Sequence, residues 1–178
     1  RLEMLHQDLR PNNIMIDRTG TVKIIDFGAT RVAGMAELSA TGEPGDILGT
    51  AQYTAPEYFL GEAGTEQSDF FSLAVITYQM LSGRLPYGAE VAKAKTLSAQ
   101  RQLYYTSVLD EEREIPVWID AVLERAVHPS PLRRYEALSE FVQDLRRPNQ
   151  AFLNRARVPL IERHPVRFWK GVSVILAG

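Results

Sequence analysis

Cysteine is absent from the 178 residues, which excludes disulfides and thiolate chemistry and fits a reducing cytoplasm. An excess of charge of one sign is missing too. Twenty Lys and Arg stand against 22 Asp and Glu, a net charge of −2, so no overall basic field draws the chain to nucleic acid. Internal repeats and low-complexity tracts are not seen, and nothing ahead of His6 reads as a signal peptide. The apolar run from Phe168 to Ala177 falls well short of the about 20 residues that span a bilayer. What remains is an ordinary soluble composition, 45% hydrophobic and 24% charged, in a chain long enough for one domain with a proper core.

The informative stretch runs from His6 to Gly28, HQDLRPNNIMIDRTGTVKIIDFG. Ile14-Met15-Ile16 and Val22-Lys23-Ile24-Ile25 flank the polar turn Asp17-Arg18-Thr19-Gly20, the pattern of a β-hairpin. A hairpin brings its ends together, so Asn13 and Asp26 should emerge side by side, with Asp8 one loop away. Two carboxylates and an amide oxygen so placed suit phosphoryl transfer, which needs hard ligands for magnesium and a carboxylate to orient the attacking hydroxyl.

This stretch resembles the catalytic and magnesium loops of eukaryotic-like protein kinases, with the pattern H-R-D-L-K-P-x-N followed by D-F-G. Gln7 and Arg10 replace the usual Arg and Lys. The long stretch from Gly28 to Glu57, weak in periodicity, reads as a functional loop. Its ending, Gly49-Thr50-Ala51-Gln52-Tyr53-Thr54-Ala55-Pro56-Glu57, resembles the close of a kinase activation segment, and Thr50 resembles the serine/threonine class. The resemblance implies a bacterial Hanks-type serine/threonine kinase that transfers the ATP γ-phosphoryl to protein hydroxyls. Asp8, Arg10 and Thr50 would be catalytic, and Asn13 and Asp26 would hold Mg2+ with ATP. His6, Phe27, Gly28, Glu57, Asp69 and Arg134 would give structural support. Because Gln7 is neutral, it cannot make a charge-assisted pair with a loop phosphate, so control by loop phosphorylation is not expected, with Arg31 the remaining candidate partner.

Downstream, Ser68 to Leu81 is apolar nearly all round at helical spacing and should be a buried central helix, stopped by Gly83 and Pro86. Asp69 could cap that helix or, as the resemblance implies, hydrogen-bond the backbone of the His6–Asp8 loop; the second is preferred because a buried carboxylate needs partners. Ala89 to Leu103 reads as a solvated surface helix. Pro116 to Val127 reads as a helix with Trp118 packed in a core or groove, and Tyr135 to Arg146 as one with Leu138, Phe141, Val142 and Leu145 on a single face. His128 reads as a surface residue. The turn His128 to Tyr135 resembles a kinase D-P-x-x-R-Y turn with one residue added, whose Arg would pair with Glu57; Arg134 is the assignment, with Arg133 left open.

The expected fold is therefore mainly α, a kinase C-terminal lobe with a small β-hairpin over residues 1–147. The N-terminal lobe would be missing and required in cis, so this stretch alone should be inactive. Residues 148–178 form a basic linker. The cluster Arg155, Arg157, Arg163, Arg167 and Lys170 before the apolar run resembles the cytoplasmic flank of an inner-membrane anchor, or else the segment packs on the lobe or is disordered. The tail also resembles that of bacterial membrane-anchored proteins pairing a phosphatase with a kinase domain. Expected partners are ATP and protein substrates. Two rivals stand beside this reading: a pseudokinase scaffold that binds partners without turnover, and an aminoglycoside- or choline-type small-molecule kinase.

Overall fold

The computed structural model describes residues 5–26, 51–110 and 113–148. Phe27, Gly28, Thr50, Arg31 and the basic tail lie outside the described residues. Two short strands, β1 (Ile14–Ile16) and β2 (Val22–Ile24), form an antiparallel pair. Four helices follow: α1 (Glu66–Ser82), α2 (Leu97–Arg101), α3 (Val117–Ala126) and α4 (Leu138–Arg146).

The hairpin forms in the expected register, with Ile14 opposite Ile24 and Ile16 opposite Val22. Asp17 organises the turn: its Oδ1 accepts from Thr19 N at 2.9 Å, Thr19 Oγ1 at 2.6 Å and Thr21 N at 3.0 Å. These bonds, that from the Thr19 hydroxyl foremost, hold the Asp17 carboxyl below its ordinary value. Gly20 has φ +84°, a left-handed conformation that costs glycine little. The hairpin's apolar side chains are not core. Met15, Ile16, Val22 and Ile24 are all exposed.

Helix α1 runs through the middle of the core. Thr65 N donates to Ser68 Oγ at 3.1 Å, closing the first turn, and Gly83 at φ +68° donates its N–H to Gln79 O at 2.8 Å. Between these ends Phe70, Phe71, Ala74, Val75, Ile76 and Tyr78 are buried, each large side chain contributing about 2 kcal/mol. Burial is not complete all round, since Met80 is 79% exposed. α3 packs on α1, and α4 on α3. Phe70 meets Phe141 edge-on at 5.1 Å between centroids, a favoured aromatic geometry. Tyrosine hydroxyls stitch loops to this core: Tyr78 donates to Thr106 O, Tyr87 to Val127 O, and Tyr105 to Asp120 Oδ1.

Three expectations are corrected. The stretch from Ala89 to Leu103 is not one surface helix. It breaks into a 3-10 turn (Val91–Lys93) and the short α2, because Val91, Ala94 and Gln100 are drawn inward. The last helix begins at Leu138, and its face divides: Phe141 is buried whereas Leu138 and Val142 are exposed. Tyr135 precedes the helix as a buried residue whose hydroxyl donates to Asp144 Oδ2 at 3.0 Å. His128 is half-buried, not a surface residue, and its Nδ1 accepts from Ser130 N at 3.0 Å.

Glu57 and Arg134 form an ion pair with 3% and 0% side-chain exposure. Arg134→Leu would leave Glu57 buried and unpaired, which costs roughly 3–5 kcal/mol; a thermal melt should fall by about 10 °C. A second expectation concerns pH. Burial foremost, then the charge of Arg133, lowers the pKa of His128. Below the ordinary value the unfolded chain takes up this proton before the folded one does, so stability drops as pH falls through about 6.5 toward the lowered value. His128→Asn, which keeps an acceptor but does not titrate, should show a shallower loss of stability in urea melts between pH 7.5 and 5.5. Equal slopes would remove His128 from that role.

Candidate active site

The site is built at the junction of the His6–Asn13 loop, the hairpin and α1. Asp69, on the first turns of α1, accepts from His6 N at 2.6 Å and from Gln7 N at 2.7 Å, one bond to each carboxylate oxygen. It therefore holds the loop and does not serve as a cap. His6 is buried and bridges the loop and the end of β2: its Nδ1 accepts from Asp8 N at 3.3 Å while its Nε2 lies 2.9 Å from Ile25 O. Only the neutral ring with its proton on Nε2 satisfies both contacts. His6 is thus a spacer between the loop and the end of β2.

Among the described residues two adopt left-handed backbone without being glycine: Gln7 at φ +64° and Asp26 at φ +66°. Such conformations cost about 1–3 kcal/mol and persist where the surroundings over-determine them. The two bonds to Asp69 and the His6 bridge supply that constraint around Gln7. Nothing in residue type announces the strain at Gln7, because Gln is not a residue that favours this region.

Asn13 is buried, and its Nδ2 donates to Asp8 O at 2.8 Å and to Asp8 Oδ2 at 3.0 Å. Arg10 Nε lies 3.3 Å from the same Asp8 oxygen. Asp8 is thereby oriented from two sides. With its amide nitrogen turned to Asp8, Asn13 presents Oδ1 as its acceptor atom. Ile25 N donates to Asn13 O at 2.9 Å, which extends the ladder by one rung and sets Asp26, an exposed residue, immediately beyond Asn13. A metal bound by these two residues would meet one carboxylate and one amide oxygen from the protein. Among the described residues no group of three or more His, Asp or Glu could hold a metal by itself. A set this sparse suits magnesium, which takes one or two carboxylates and completes its shell with phosphate oxygens and water.

Glu57 sits at the far side of α1. Arg134 grips it with two parallel bonds, Nη1 to Oε1 at 2.8 Å and Nη2 to Oε2 at 2.7 Å, which resolves the choice between Arg133 and Arg134. Several contributors were not legible from residue pattern. Ser68 Oγ donates to Glu57 Oε1 at 2.8 Å. Ser72 Oγ donates to Tyr53 O at 2.7 Å and Tyr53 OH to Gln79 Oε1 at 2.5 Å. Gly64 leaves room for Tyr58, whose hydroxyl lies 1.9 Å from where a Cβ would sit. Burial, followed by the charge of Asp69, pushes that phenol up to about 12. Small polar residues inside an apolar helix and a lone glycine carry no periodic signal.

Asp69→Asn replaces one acceptor oxygen with a donor that faces an N–H. Loss of a charge-assisted bond is worth about 1.5–3 kcal/mol, so the His6 and Gln7 amides should exchange about tenfold to a hundredfold faster. The α1 amides should be little changed. NMR-detected exchange checks this, and unaltered loop protection would refute it.

Comparison with known proteins agrees with this geometry. The protein kinase domain family matches residues 1–151. The chain is 33% identical over 156 residues to the serine/threonine-protein kinase PknD of Chlamydia caviae, covering 80% of this chain and 17% of that protein. It is 39% identical over 119 residues to PknA of Corynebacterium glutamicum, covering 65% and 24%. It is 32% identical over 144 residues to PknB of Mycobacterium leprae, covering 80% and 22%. The chain thus spans about a fifth of the length of these relatives. With Asp8 bonded to Asn13 and Glu57 locked to Arg134, the chain belongs to the protein kinase family, and the relatives it resembles are bacterial serine/threonine-protein kinases.

Proposed function

We propose that the chain is the lower, C-terminal lobe of a serine/threonine kinase and carries the acceptor-side chemistry of transfer from ATP to a protein hydroxyl. The observation that carries this is the Asp8 carboxylate, held by a hydrogen bond from Asn13 Nδ2 with the Arg10 charge 3.3 Å away, on a loop tied to Asp69. A carboxylate so oriented can accept the proton of a substrate hydroxyl and aim its oxygen at the phosphorus. The Arg10 guanidinium beside it brings positive charge to the transferring phosphoryl. Asn13 Oδ1 and Asp26 would hold magnesium, which supplies neutralisation of the phosphate oxygens when bound. The segment that ends at Glu57 would form the wall against which the acceptor peptide lies, with Thr50 at its head.

The exposed apolar face of the hairpin supports the two-lobed reading. Ile16, Val22 and Ile24 lie on one face of the hairpin and are exposed, an apolar surface that a preceding lobe gripping ATP from above would cover. Membrane attachment stays a proposal for residues 148–178, of which 149–178 lie outside the described residues; among the described ones no helix is long and apolar enough to cross a membrane.

Radiolabelled-phosphate transfer in a two-lobed protein containing this chain is the test. Asp26→Asn should lower transfer by more than about a hundredfold, with a melting temperature near that of the unaltered protein. Residues 1–178 alone should give no transfer. Near-normal turnover of Asp26→Asn would defeat the assignment of Asp26, and turnover by residues 1–178 that depends on Asp8 would defeat the need for a second lobe.

A further inference from the structure

Gln100 is a polar residue in a place chosen for apolar ones. It lies on α2 and is only 6% exposed, although its neighbour Leu97 on the same short helix is 60% exposed. Its Nε2 donates to Pro56 O at 2.6 Å and to Ala94 O at 3.2 Å. Both amide hydrogens are thus used on backbone carbonyls, one six residues away and the other 44. Burying an amide is unfavourable unless its bonds are made, and these bonds join α2 to the 3-10 turn Pro56–Leu60.

That turn begins at the end of the segment assigned to the acceptor peptide. Its second residue, Glu57, is clamped by Arg134, and a clamp at one side chain leaves the preceding backbone free to tilt about it. Tyr53 is fixed by Ser72 and Gln79. Pro56 lies between the two fixed points. Its ring is fully buried, it has no N–H of its own, and its carbonyl meets Gln100.

We propose that Gln100 is a positioning residue for the acceptor substrate: by holding the Pro56 carbonyl it sets the height of residues 53–57, and with it the seat of the peptide beside Asp8. This rests on the kinase reading above. It predicts an effect on acceptor binding and none on the handling of ATP, because the Gln100 amide donates to Pro56 and Ala94 and not, among the described residues, to the loop that carries Asn13 and Asp26.

The test uses Gln100→Met in the two-lobed protein, which keeps length and volume but removes the donor. The KM for an acceptor peptide should rise about tenfold, with kcat within about twofold and the KM for ATP unchanged. In parallel, amides of residues 53–60 should exchange at least about fivefold faster while those of α1 do not. A fall in kcat with both KM values unchanged would mark a merely structural residue and overturn the proposal, as would unaltered exchange at 53–60. If Gln100→Met folds poorly, Gln100→Asn, whose donor is one methylene short, should show a smaller rise in acceptor KM; none would overturn it. Should the unaltered protein transfer no phosphate, the kinase reading fails, and the exchange comparison still decides whether Gln100 holds the segment.

Discussion

The buried pair of Glu57 and Arg134 is the interaction on which the rest of the described structure depends. Taking two charges out of water costs several kcal/mol per ion, and geometry alone decides whether that is recovered. Arg134 has five N–H groups, and each has an acceptor. Two go to Glu57, one to Gln67 O, one to His128 O and one to Pro129 O. Its guanidinium carbon also lies 4.8 Å from the centre of the Phe71 ring. One side chain therefore joins the turn at Pro56–Leu60, the start of α1 and the turn before α4. The turn before α4 is distant in sequence from the other two, and Phe70 of α1 also packs on Tyr135 beside it.

A second constraint works at the other end of the site and also radiates from α1. Asp69 and Ser68 are adjacent on that helix and face different partners: Asp69 holds the His6–Gln7 backbone, and Ser68 steadies Glu57. The His6–Asn13 loop and the segment that ends at Glu57 are thus referenced to one rigid rod. Helix α1 is suited to this because it is the longest element and its interior face is packed with Phe71, Val75 and Tyr78, all fully buried. Strain at Gln7 and Asp26 can be sustained next to such an anchor, where the loop alone would relax.

Much of the site was legible because it is local. His6, Asp8, Asn13 and Asp26 fall on either side of a hairpin whose strands and turn are readable from alternation and a glycine, and in the structure His6 meets Asp8 N and Ile25 O while Asn13 bonds Asp8. Asp69 was legible as a carboxylate inside an apolar helix, which demands a partner. Illegible were the residues whose role depends on what packs against them. Gln100 looked like part of a solvated face, His128 looked exposed, and Leu138 and Val142 looked like core.

The physical reason lies in element length. The sequence by itself determined α1, with its 17 apolar-rich residues and a glycine stop, and the hairpin, because periodicity and turn chemistry act over neighbouring residues. Helices as short as α2, five residues long, cannot stand alone in water. Their limits and inward faces are set by partners tens of residues away, as Pro56 sets the place of Gln100. Tertiary structure alone decided which of two adjacent arginines reached Glu57, since both have the same chemistry and only the backbone of the preceding 3-10 turn (Pro131–Arg133) directs Arg134 inward.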